Sequence, residues 1–169
     1  EVFEEKKKDT VKPLVNRRFY GIDGQEISEM LFLSHEAILN DILELKKEKQ
    51  DIEPTALAGM PQLRMTRCIQ GEYELKESDN DVNFPDSVGM IADWRKRGMV
   101  YEIPYRALYS KKLGNVISAG RCICTDDGMW DISRVIPPCA VTGEAAGTAA
   151  AMTTDFGELS YDRLAKRLR

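Results

Sequence analysis

The chain has 169 residues, of which 43% are hydrophobic and 31% charged, and it carries a net charge of −4. This composition suits a globular protein of one domain, or of one domain with a small appendage. The acidic balance argues against a nucleic-acid-binding protein, which usually has a basic surplus, and no apolar run approaches the roughly 20 residues that span a bilayer. We expect small molecules or proteins as partners and, by default, a cytoplasmic protein.

The beginning of the chain is charged and irregular. The first residue is Glu1 rather than methionine, in the run EVFEEKKKD. We interpret the chain as part of a longer protein, so that any targeting segment would lie upstream. Residues 16–20 (NRRFY) are a candidate for a short strand or a sheet edge.

A long helix is predicted from residue 24 to residue 49. Asp23 is a favourable N-cap, and Glu26 follows three residues later, as in a capping box. His35 lies near the apolar stripe of this helix, where a partly buried structural histidine is favoured over a functional one. The stripe has spacings of three, four and seven and consists of Ile27, Met30, Leu31, Ile38, Ile42 and Leu45.

Strands are predicted between about residues 62 and 105. Residues 68–75 alternate between apolar and polar side chains, which is typical of a half-buried strand. Residues 87–93 and 100–105 are two further candidates, separated by a basic turn. Three neighbouring strands of this kind favour a largely antiparallel sheet.

Residues 115–152 are the most informative stretch. Residues 116–119 are short and apolar, as expected of a buried parallel strand, and a glycine turn and a polar loop follow. A double proline, Pro137-Pro138, then predicts the start of a helix that ends near Met152. This helix carries almost no bulky side chain, so another backbone or a flat ligand can come very close to it. A last short helix is predicted after Ser160.

The start of the 138–152 helix suits an anionic group. Because Pro137 and Pro138 lack N–H groups, we assign the free donors of the first turn to Cys139, Ala140 and Val141. These donors carry the positive partial charge of the helix end. Ala140, Gly143 and Gly147 share one helical face, and on the residues alone we favour tight helix packing without a ligand.

The four cysteines are interpreted as reduced thiols that pack as small hydrophobic residues. Cys122 and Cys124 are two apart on a predicted strand and would point to opposite faces, which is poor geometry for one metal or for a disulfide between them. The single histidine cannot complete a ligand set with them, so no metal site is expected. The cysteines are Cys68, Cys122, Cys124 and Cys139.

The 115–152 stretch contains a motif that consists of Ala119, Gly120 and Arg121; Ser133, Arg134, Val135 and Pro137; Cys139; and Gly143 through Ala150. This motif resembles the C-terminal end of FAD-dependent oxidoreductases, in the broad group that includes the fumarate reductase and succinate dehydrogenase flavoproteins. Two upstream segments, MPQLRMTRCIQGEYEL and MVYEIPYRAL, are also similar to parts of this family, so the resemblance extends over residues 23–152.

We therefore expect an α+β fold with a mainly antiparallel or mixed sheet, a long flanking helix, and a C-terminal strand–helix unit that would complete a dinucleotide-binding domain. The resemblance implies that residues 1–112 belong to a substrate or cap domain and residues 113–169 to the returning segment of the FAD-binding domain. The G-x-G-x-x-G fingerprint is absent from this sequence. The expected partner is thus a missing N-terminal half, and the chain alone is expected to be inactive and to bind FAD weakly or not at all.

The resemblance also implies the site. Arg134 is the candidate catalytic residue, which would bind an anionic small-molecule substrate or shuttle a proton; an arginine that holds the loop through carbonyl groups is the open alternative. The helix start would stabilise the negative charge of a reduced flavin at N1 and the C2 carbonyl. Gly120 and Arg121 would approach the ribityl or pyrophosphate part, although Arg121 also fits a solvated or ion-paired side chain. The candidate cofactor-binding residues are Gly120, Arg121, Ser133, Val135, Pro137, Cys139, Ala140, Val141 and Gly143.

Two other functions stay open. In the first, the chain is a non-catalytic binding or assembly module that uses the small-residue helix 138–152 as an interaction face. In the second, Cys139 is a thiol nucleophile whose pKa is lowered by the helix end, but the sequence offers no general base. For Cys139 we favour the role of a small residue tolerated beside the flavin ring.

Overall fold

The computed structural model describes Arg17, residues 19–49 and residues 51–168. The expected α+β class is confirmed, with helices and a two-stranded antiparallel sheet. The chain divides into two compact units, residues 1–66 and residues 67–169. The assignment of residues 1–112 and 113–169 to two domains of a flavoprotein stays a prediction.

The first unit is dominated by helix α1, Gly24–Glu48. Asp23 is its N-cap, and the carboxylate accepts a hydrogen bond of 2.9 Å from the backbone N–H of Gln25. The predicted capping box is not formed, because Glu26 accepts instead from the N–H groups of Tyr20 and Gly21, at 3.0 and 2.9 Å. Glu26 thereby fixes the chain that leads into the helix. Arg17, Phe19 and Tyr20 are not in a strand, and the rest of that predicted strand lies outside the described residues.

The side chains of α1 are exposed or half-buried, and none is buried. Phe32, for example, has 74% of its surface exposed. His35 is exposed rather than partly buried, and its Nε2 lies 3.1 Å from the carbonyl oxygen of Gly59. The expected partial burial of this histidine is therefore wrong, and its role stays a prediction.

The second unit contains an antiparallel pair of strands, β1 (Ser87–Ala92) and β2 (Val100–Pro104). Ile91 is paired with Tyr101 and Gly89 with Ile103, and the register shifts between Ser87 and Gly89. Ile91, Tyr101 and Ile103 are buried, so the inner face of this pair contributes directly to the core. The two strands confirm the predictions for residues 87–93 and 100–105 to within a residue.

The strand predicted at residues 68–75 is wrong. Only isolated bridges occur there, from Gly71 to Ser110 and from Leu75 to Thr125. The N–H groups of this stretch donate to separate parts of the chain, such as Ile69 to Cys122 and Tyr73 to Arg106. The alternation of apolar and polar side chains thus reflects alternate burial along a segment that has no continuous partner strand.

The buried parallel strand predicted at residues 116–119 is also wrong. Ile117 makes one isolated antiparallel bridge to Tyr109, and Val116 is 37% exposed. The strand half of the predicted C-terminal strand–helix unit is therefore not formed. The following polar loop is also more ordered than expected, because it contains a 3-10 turn at Gly120–Cys122 and helix α2 at Asp127–Ser133. Asp126 caps α2 by accepting from the N–H of Met129 at 2.8 Å.

Helix α3, Ile136–Met152, packs one face against β1. A Cβ atom placed on Gly89 of β1 would lie 2.3 Å from Cγ1 of Val141, so the helix lies directly on the strand backbone. One close neighbour of the small-residue helix is therefore a strand of the same unit. Helix α4, Tyr161–Ala165, begins after Ser160 as predicted and buries Leu164. The buried face of α3 consists of Pro138, Thr142, Ala145, Ala146 and Ala149.

The core of the second unit lies between the sheet, α2, α3 and α4. Its buried aromatic residues include Phe84, Tyr101 and Tyr105, and Leu75 and Met129 are fully buried. Within the described ranges, no helix has both the length and the apolar content needed to cross a membrane.

Candidate functional site

The predicted site residues lie where the turn Gly120–Cys122, helix α2 and the start of α3 meet, a region called the junction below. Gly120 is buried in it with φ at +64°, a conformation that favours glycine. A Cβ atom there would lie 3.2 Å from Sγ of Cys139. The Gly120 N–H donates to Oγ1 of Thr142 at 2.9 Å. Because this N–H is already bonded within the chain, Gly120 is held against α3 and does not present its own donor to a ligand.

The start of α3 differs from the sequence-based assignment. Val135 is the N-cap and Ile136 the first helical residue. The N–H of Cys139 donates to the carbonyl of Val135 at 3.2 Å, so Cys139 is already bonded in the helix. Ala140 and Val141 lie further inside α3, where N–H groups bond to preceding carbonyls. The donors at the helix start are therefore those of Val135 and Ile136, and assigning them to Cys139, Ala140 and Val141 was wrong.

The outward face of α3 is open. Ile136 is 85% exposed, and Ala140 is also exposed. Nothing lies within 4 Å of a Cβ atom built on Gly143 or on Gly147, apart from the backbone of the helix. Ala140, Gly143 and Gly147, which the sequence placed on one helical face, are therefore exposed. Together with Ile136 at the start of the helix they form a surface that we call the open face.

Arg134, at the C-cap of α2, is 14% exposed and is paired with Asp131. Its Nε and Nη2 donate to Oδ1 of Asp131 at 3.0 and 2.5 Å. Oδ2 of the same carboxylate lies 3.7 Å from Nη1 of Arg95. The partner of Arg134 is thus a carboxylate of its own helix rather than the loop carbonyls of the alternative prediction, and two of its five N–H groups are engaged.

A charged network next to Arg134 was not predicted from the sequence. The Asp93 side chain is 0% exposed, and its carboxylate accepts from the N–H, Nε and Nη2 of Arg95 at 2.7, 3.1 and 3.2 Å. These hydrogen bonds, chiefly those from the Arg95 side chain, lower the pKa of Asp93 against the opposite effect of its burial. Arg95 also reaches Oε1 of Glu77 at 2.9 Å. The local signal of this arrangement is the Asp-x-Arg spacing, since an aspartate side chain often accepts from the backbone N–H of the residue two positions later. The other partners are not predictable from local sequence.

The tryptophan of α2 fixes the turn from the other side. Nε1 of Trp130 donates to the carbonyl of Arg121 at 2.7 Å, and the Trp130 side chain is buried. The side chain of Arg121 is exposed, in agreement with its solvated alternative. Ser133 is buried, and its hydroxyl bonds to the carbonyl of Trp130 at 3.4 Å.

Burial raises the pKa of the Cys139 thiol, and the opposing effect of Arg121 is smaller. The lowered pKa expected of a thiol nucleophile at a helix end is therefore not found. Sγ of Cys139 lies 3.8 Å from the carbonyl oxygen of Ser133 and next to Gly120. The four cysteines are free, and the described part of the chain holds no group of three or more side chains that could bind a metal.

The junction thus brings Gly120, Ser133, Val135 and Cys139 into contact, while Arg121 and Gly143 lie at the surface around them. A groove of about 660 Å³ lies toward the other end of α3 and shares Gly147 with the open face. It is lined by Gly147, Thr148, Ala151, Met152, Arg163 and Arg167. Sequence reasoning did not predict this groove, because the two arginines follow α3 through a connection whose path could not be read.

A family model described as "FAD dependent oxidoreductase" matches residues 1–168. This match confirms the resemblance that the 115–152 motif indicated. No curated protein and no solved structure matches the chain.

Proposed function

The chain belongs to the family of FAD-dependent oxidoreductases, and we propose that its junction and open face build the flavin-facing part of an active site. In this proposal the whole protein moves a hydride between FAD and a small organic substrate. The pyrophosphate-binding glycines would come from a segment outside these 169 residues, since the sequence contains no G-x-G-x-x-G motif.

The open face is the observation that carries the proposal. A planar ring needs a surface with few projecting side chains, and nothing except neighbouring residues of α3 lies within 4 Å of a Cβ atom built on Gly143 or on Gly147. Ile136 adds an apolar side chain that is 85% exposed. An apolar surface of this kind, left open beside a helix N-terminus, fits a cofactor ring that has one polar edge.

Bound FAD supplies the carrier for the two electrons and the proton of a hydride. The chain's own part is electrostatic: the N–H groups at Val135 and Ile136 would favour negative charge next to the start of α3. Pro137, Cys139, Ala140 and Val141 would shape the surface around that start rather than donate to it. The Gly120 N–H donates to Oγ1 of Thr142 at 2.9 Å, which would keep the turn close to α3 and leave room for a ligand beside it. The side chain of Arg121 would reach toward the phosphate groups of FAD.

The size of residue 143 tests the placement of the cofactor. Gly143→Leu should lower the flavin-to-protein ratio of the protein purified from its complete natural gene, because the side chain would occupy the open face. In the 169-residue chain the same change should raise the free energy of unfolding by about 0.5–1 kcal/mol, since leucine is a better helix former than glycine. Absorbance after gel filtration gives the ratio, and urea unfolding gives the stability.

Ala165→Leu is the matched control, because it adds the same side chain at an exposed position of α4. It should leave the flavin content unchanged. A Gly143→Leu protein with full flavin content would show that the open face does not hold the cofactor. A natural protein without flavin would refute the oxidoreductase proposal as a whole, and we expect the 169-residue chain alone to retain little or none.

Arg134 is proposed to bind an anionic group of the substrate through those of its N–H groups that do not bond to Asp131. Arg134→Lys keeps the charge but loses the planar set of donors. It should slow the reduction of bound flavin by substrate roughly 10-fold or more while leaving the flavin content unchanged. An unaltered rate of flavin reduction in stopped-flow absorbance would show that Arg134 does not bind the substrate and only forms its ion pair with Asp131.

The alternative, a non-catalytic assembly module, rests on the same open face, because a second protein surface could also cover it. The flavin content of the natural protein separates the two functions. A flavin-free protein that forms a complex through α3, and loses that complex on Gly143→Leu, would support the assembly module.

A further inference from the structure

The groove toward the end of α3 combines a floor of small residues with two arginines. Gly147 and Ala151 are exposed and lie one turn apart on α3. Nothing except neighbouring residues of α3 lies within 4 Å of a Cβ atom built on Gly147. The groove, called the arginine groove below, measures about 660 Å³, which lies within the range of about 300–1,000 Å³ that is typical of small-molecule sites. Its lining consists of Gly147, Thr148, Ala151, Met152, Arg163 and Arg167.

Helix α4 holds the two arginines at the groove. The helical turn continues past Ala165, because the N–H groups of Arg167 and Leu168 donate to the carbonyl of Leu164 at 2.8 and 3.2 Å. Arg163 and Arg167 are therefore one turn apart and share one face. Leu164 is fully buried, and Leu168 packs against the same core. Hydrophobic contacts thus fix this segment, while the exposed side chains of the two arginines border the groove.

The positive charges of the groove have no counter-charge from the chain. The side chains of Arg163, Arg167 and Thr148 have no hydrogen-bond or ion-pair partner in the part of the chain that the structure describes. Two like charges four residues apart on a helix repel each other, and a bound anion would offset that repulsion. A guanidinium can bind one phosphate group through two N–H groups, and the hydroxyl of Thr148 adds a neutral donor.

We propose that the arginine groove binds a small organic phosphate. The phosphate group lies between Arg163 and Arg167, and the organic part lies over Gly147 and Ala151. A phosphate monoester has a charge of about −1.5 to −2 at pH 7, which matches the two guanidinium groups. The small residues of the floor admit a flat body, and Met152 offers it an apolar side chain.

The ligand is assigned as a molecule separate from FAD. With a rise of about 1.5 Å per residue, Thr148 lies roughly 18 Å along α3 from Ile136, beside which the flavin is proposed to bind. The groove meets the open face at Gly147, so its ligand would border the flavin without covering the start of α3. Binding in the groove does not depend on the proposed flavin chemistry, and the two proposals can fail separately.

An NMR titration of the 169-residue chain with phenyl phosphate tests the site. This probe carries a phosphate group on a flat apolar ring and thus has both features of the proposed ligand. We expect saturable shifts of the amide signals of residues 147–152 and 163–167, and weaker binding of inorganic phosphate, which lacks the ring. Absence of saturable binding, shifts confined to other residues, or equal affinity for the two probes would each overturn the proposal.

The arginines are tested one at a time. Arg163→Gln and Arg167→Gln should each weaken the binding of phenyl phosphate about 10-fold or more, because each removes hydrogen bonds from a charged donor. Lys166→Gln is the matched control, since it removes the same charge from an exposed residue at the C-cap of α4 that does not line the groove. It should leave the affinity unchanged, and equal weakening in all three variants would contradict a specific site.

Binding is the appropriate measurement, because the negative partial charge at the end of α3 stabilises arginines nearby even without a ligand. Ala151→Leu tests the floor: it places a larger side chain in the groove and should weaken the binding of phenyl phosphate but not that of inorganic phosphate. Ala165→Leu adds the same side chain at an exposed position outside the groove and should alter neither. Unchanged binding of phenyl phosphate to Ala151→Leu would contradict the proposed position of the organic part.

The protein purified from its complete natural gene separates this ligand from FAD. Arg163→Gln should leave its flavin content unchanged, as measured by absorbance after gel filtration, and phenyl phosphate should still bind to the flavin-containing protein. A loss of flavin in Arg163→Gln would show that the groove holds the phosphate groups of FAD and would overturn the assignment of a separate ligand. Binding of phenyl phosphate to a natural protein without flavin would support the groove while refuting the oxidoreductase proposal.

Discussion

Gly120 holds a backbone conformation and a contact that no other residue type accommodates without cost. Its φ is +64°, and the space where a side chain would begin is taken by Sγ of Cys139. The sequence singled out this glycine through its Ala-Gly-Arg motif, but for a different reason, since it was expected directly after a buried strand. No strand lies directly before it, and what requires glycine is the packing of a short turn on a helix.

Gly120→Ala is expected to lower the free energy of unfolding by about 1–3 kcal/mol, because a side chain must adopt positive φ and displace Cys139. Urea unfolding of the 169-residue chain measures the change. Gly98 is the matched control, with φ at +81° and nothing within 4 Å of a built Cβ. Gly98→Ala should therefore cost less than Gly120→Ala, and equal losses would contradict the contact with Cys139.

Arg134 illustrates what a motif can and cannot predict about a residue. The motif places an arginine beside the start of α3, and the structure has it there. The ion pair with Asp131 could not be predicted with certainty, because a spacing of three on a helix permits such a pair but does not require it. That Asp131 also approaches Arg95 depends on the tertiary fold.

At the scale of elements, the β1–β2 connection and helix α2 are joined by a charged network that includes the buried Asp93. Asp93 directly follows β1, and its N–H donates to the carbonyl of Met99 at 2.9 Å, which joins the two ends of the loop between β1 and β2. Arg95 then links Asp93 to Glu77 and to Asp131 of α2. The sequence indicated only a basic turn here, because most of the acidic partners are far away in the chain.

Asp93→Asn should weaken the fold in a pH-dependent way. The folded-state pKa of Asp93 is lowered chiefly by the Arg95 side chain, below an unfolded value of about 3.9. The ionised carboxylate therefore contributes stability above about pH 4, and this contribution is lost as the pH falls through the folded-state pKa. Near neutral pH the change should cost about 1–3 kcal/mol.

Urea unfolding at neutral and at acidic pH tests this sign. The difference between the wild-type chain and Asp93→Asn should shrink as the pH falls below about 4. Asp41→Asn, which changes an exposed carboxylate of α1, should show no such trend. A difference that stays constant or grows on acidification would mean that the charge of Asp93 does not act through Arg95.

The success of the helix predictions and the failure of two strand predictions have one physical cause. Helices α1 and α3 are held by bonds within their own segments, so periodicity, an N-cap aspartate and a double proline are sufficient signals. Residues 68–75 and 116–119 depend on distant partners, and here those partners offer only single bridges. Helix α2 was missed because seven residues give too short a periodic pattern.

At the scale of the whole molecule, the family could be inferred from one stretch, whereas the arrangement around it could not. The small residues of α3 predicted a close neighbour. The structure divides their roles: Thr142, Ala145 and Ala149 face the core, while Gly143 and Gly147 face outward. The sequence alone could not show whether a glycine of this helix faces open space or packs against another backbone.

The contact between Gly89 and Val141 has a consequence for how this fold can vary in evolution. A Cβ on Gly89 would lie 2.3 Å from Cγ1 of Val141, so the two positions share a single volume between strand and helix. A larger residue at position 89 is compatible with the fold only together with a smaller residue at position 141. Among related sequences these positions are therefore expected to change as a pair, and each alone is a poor guide to what the other tolerates.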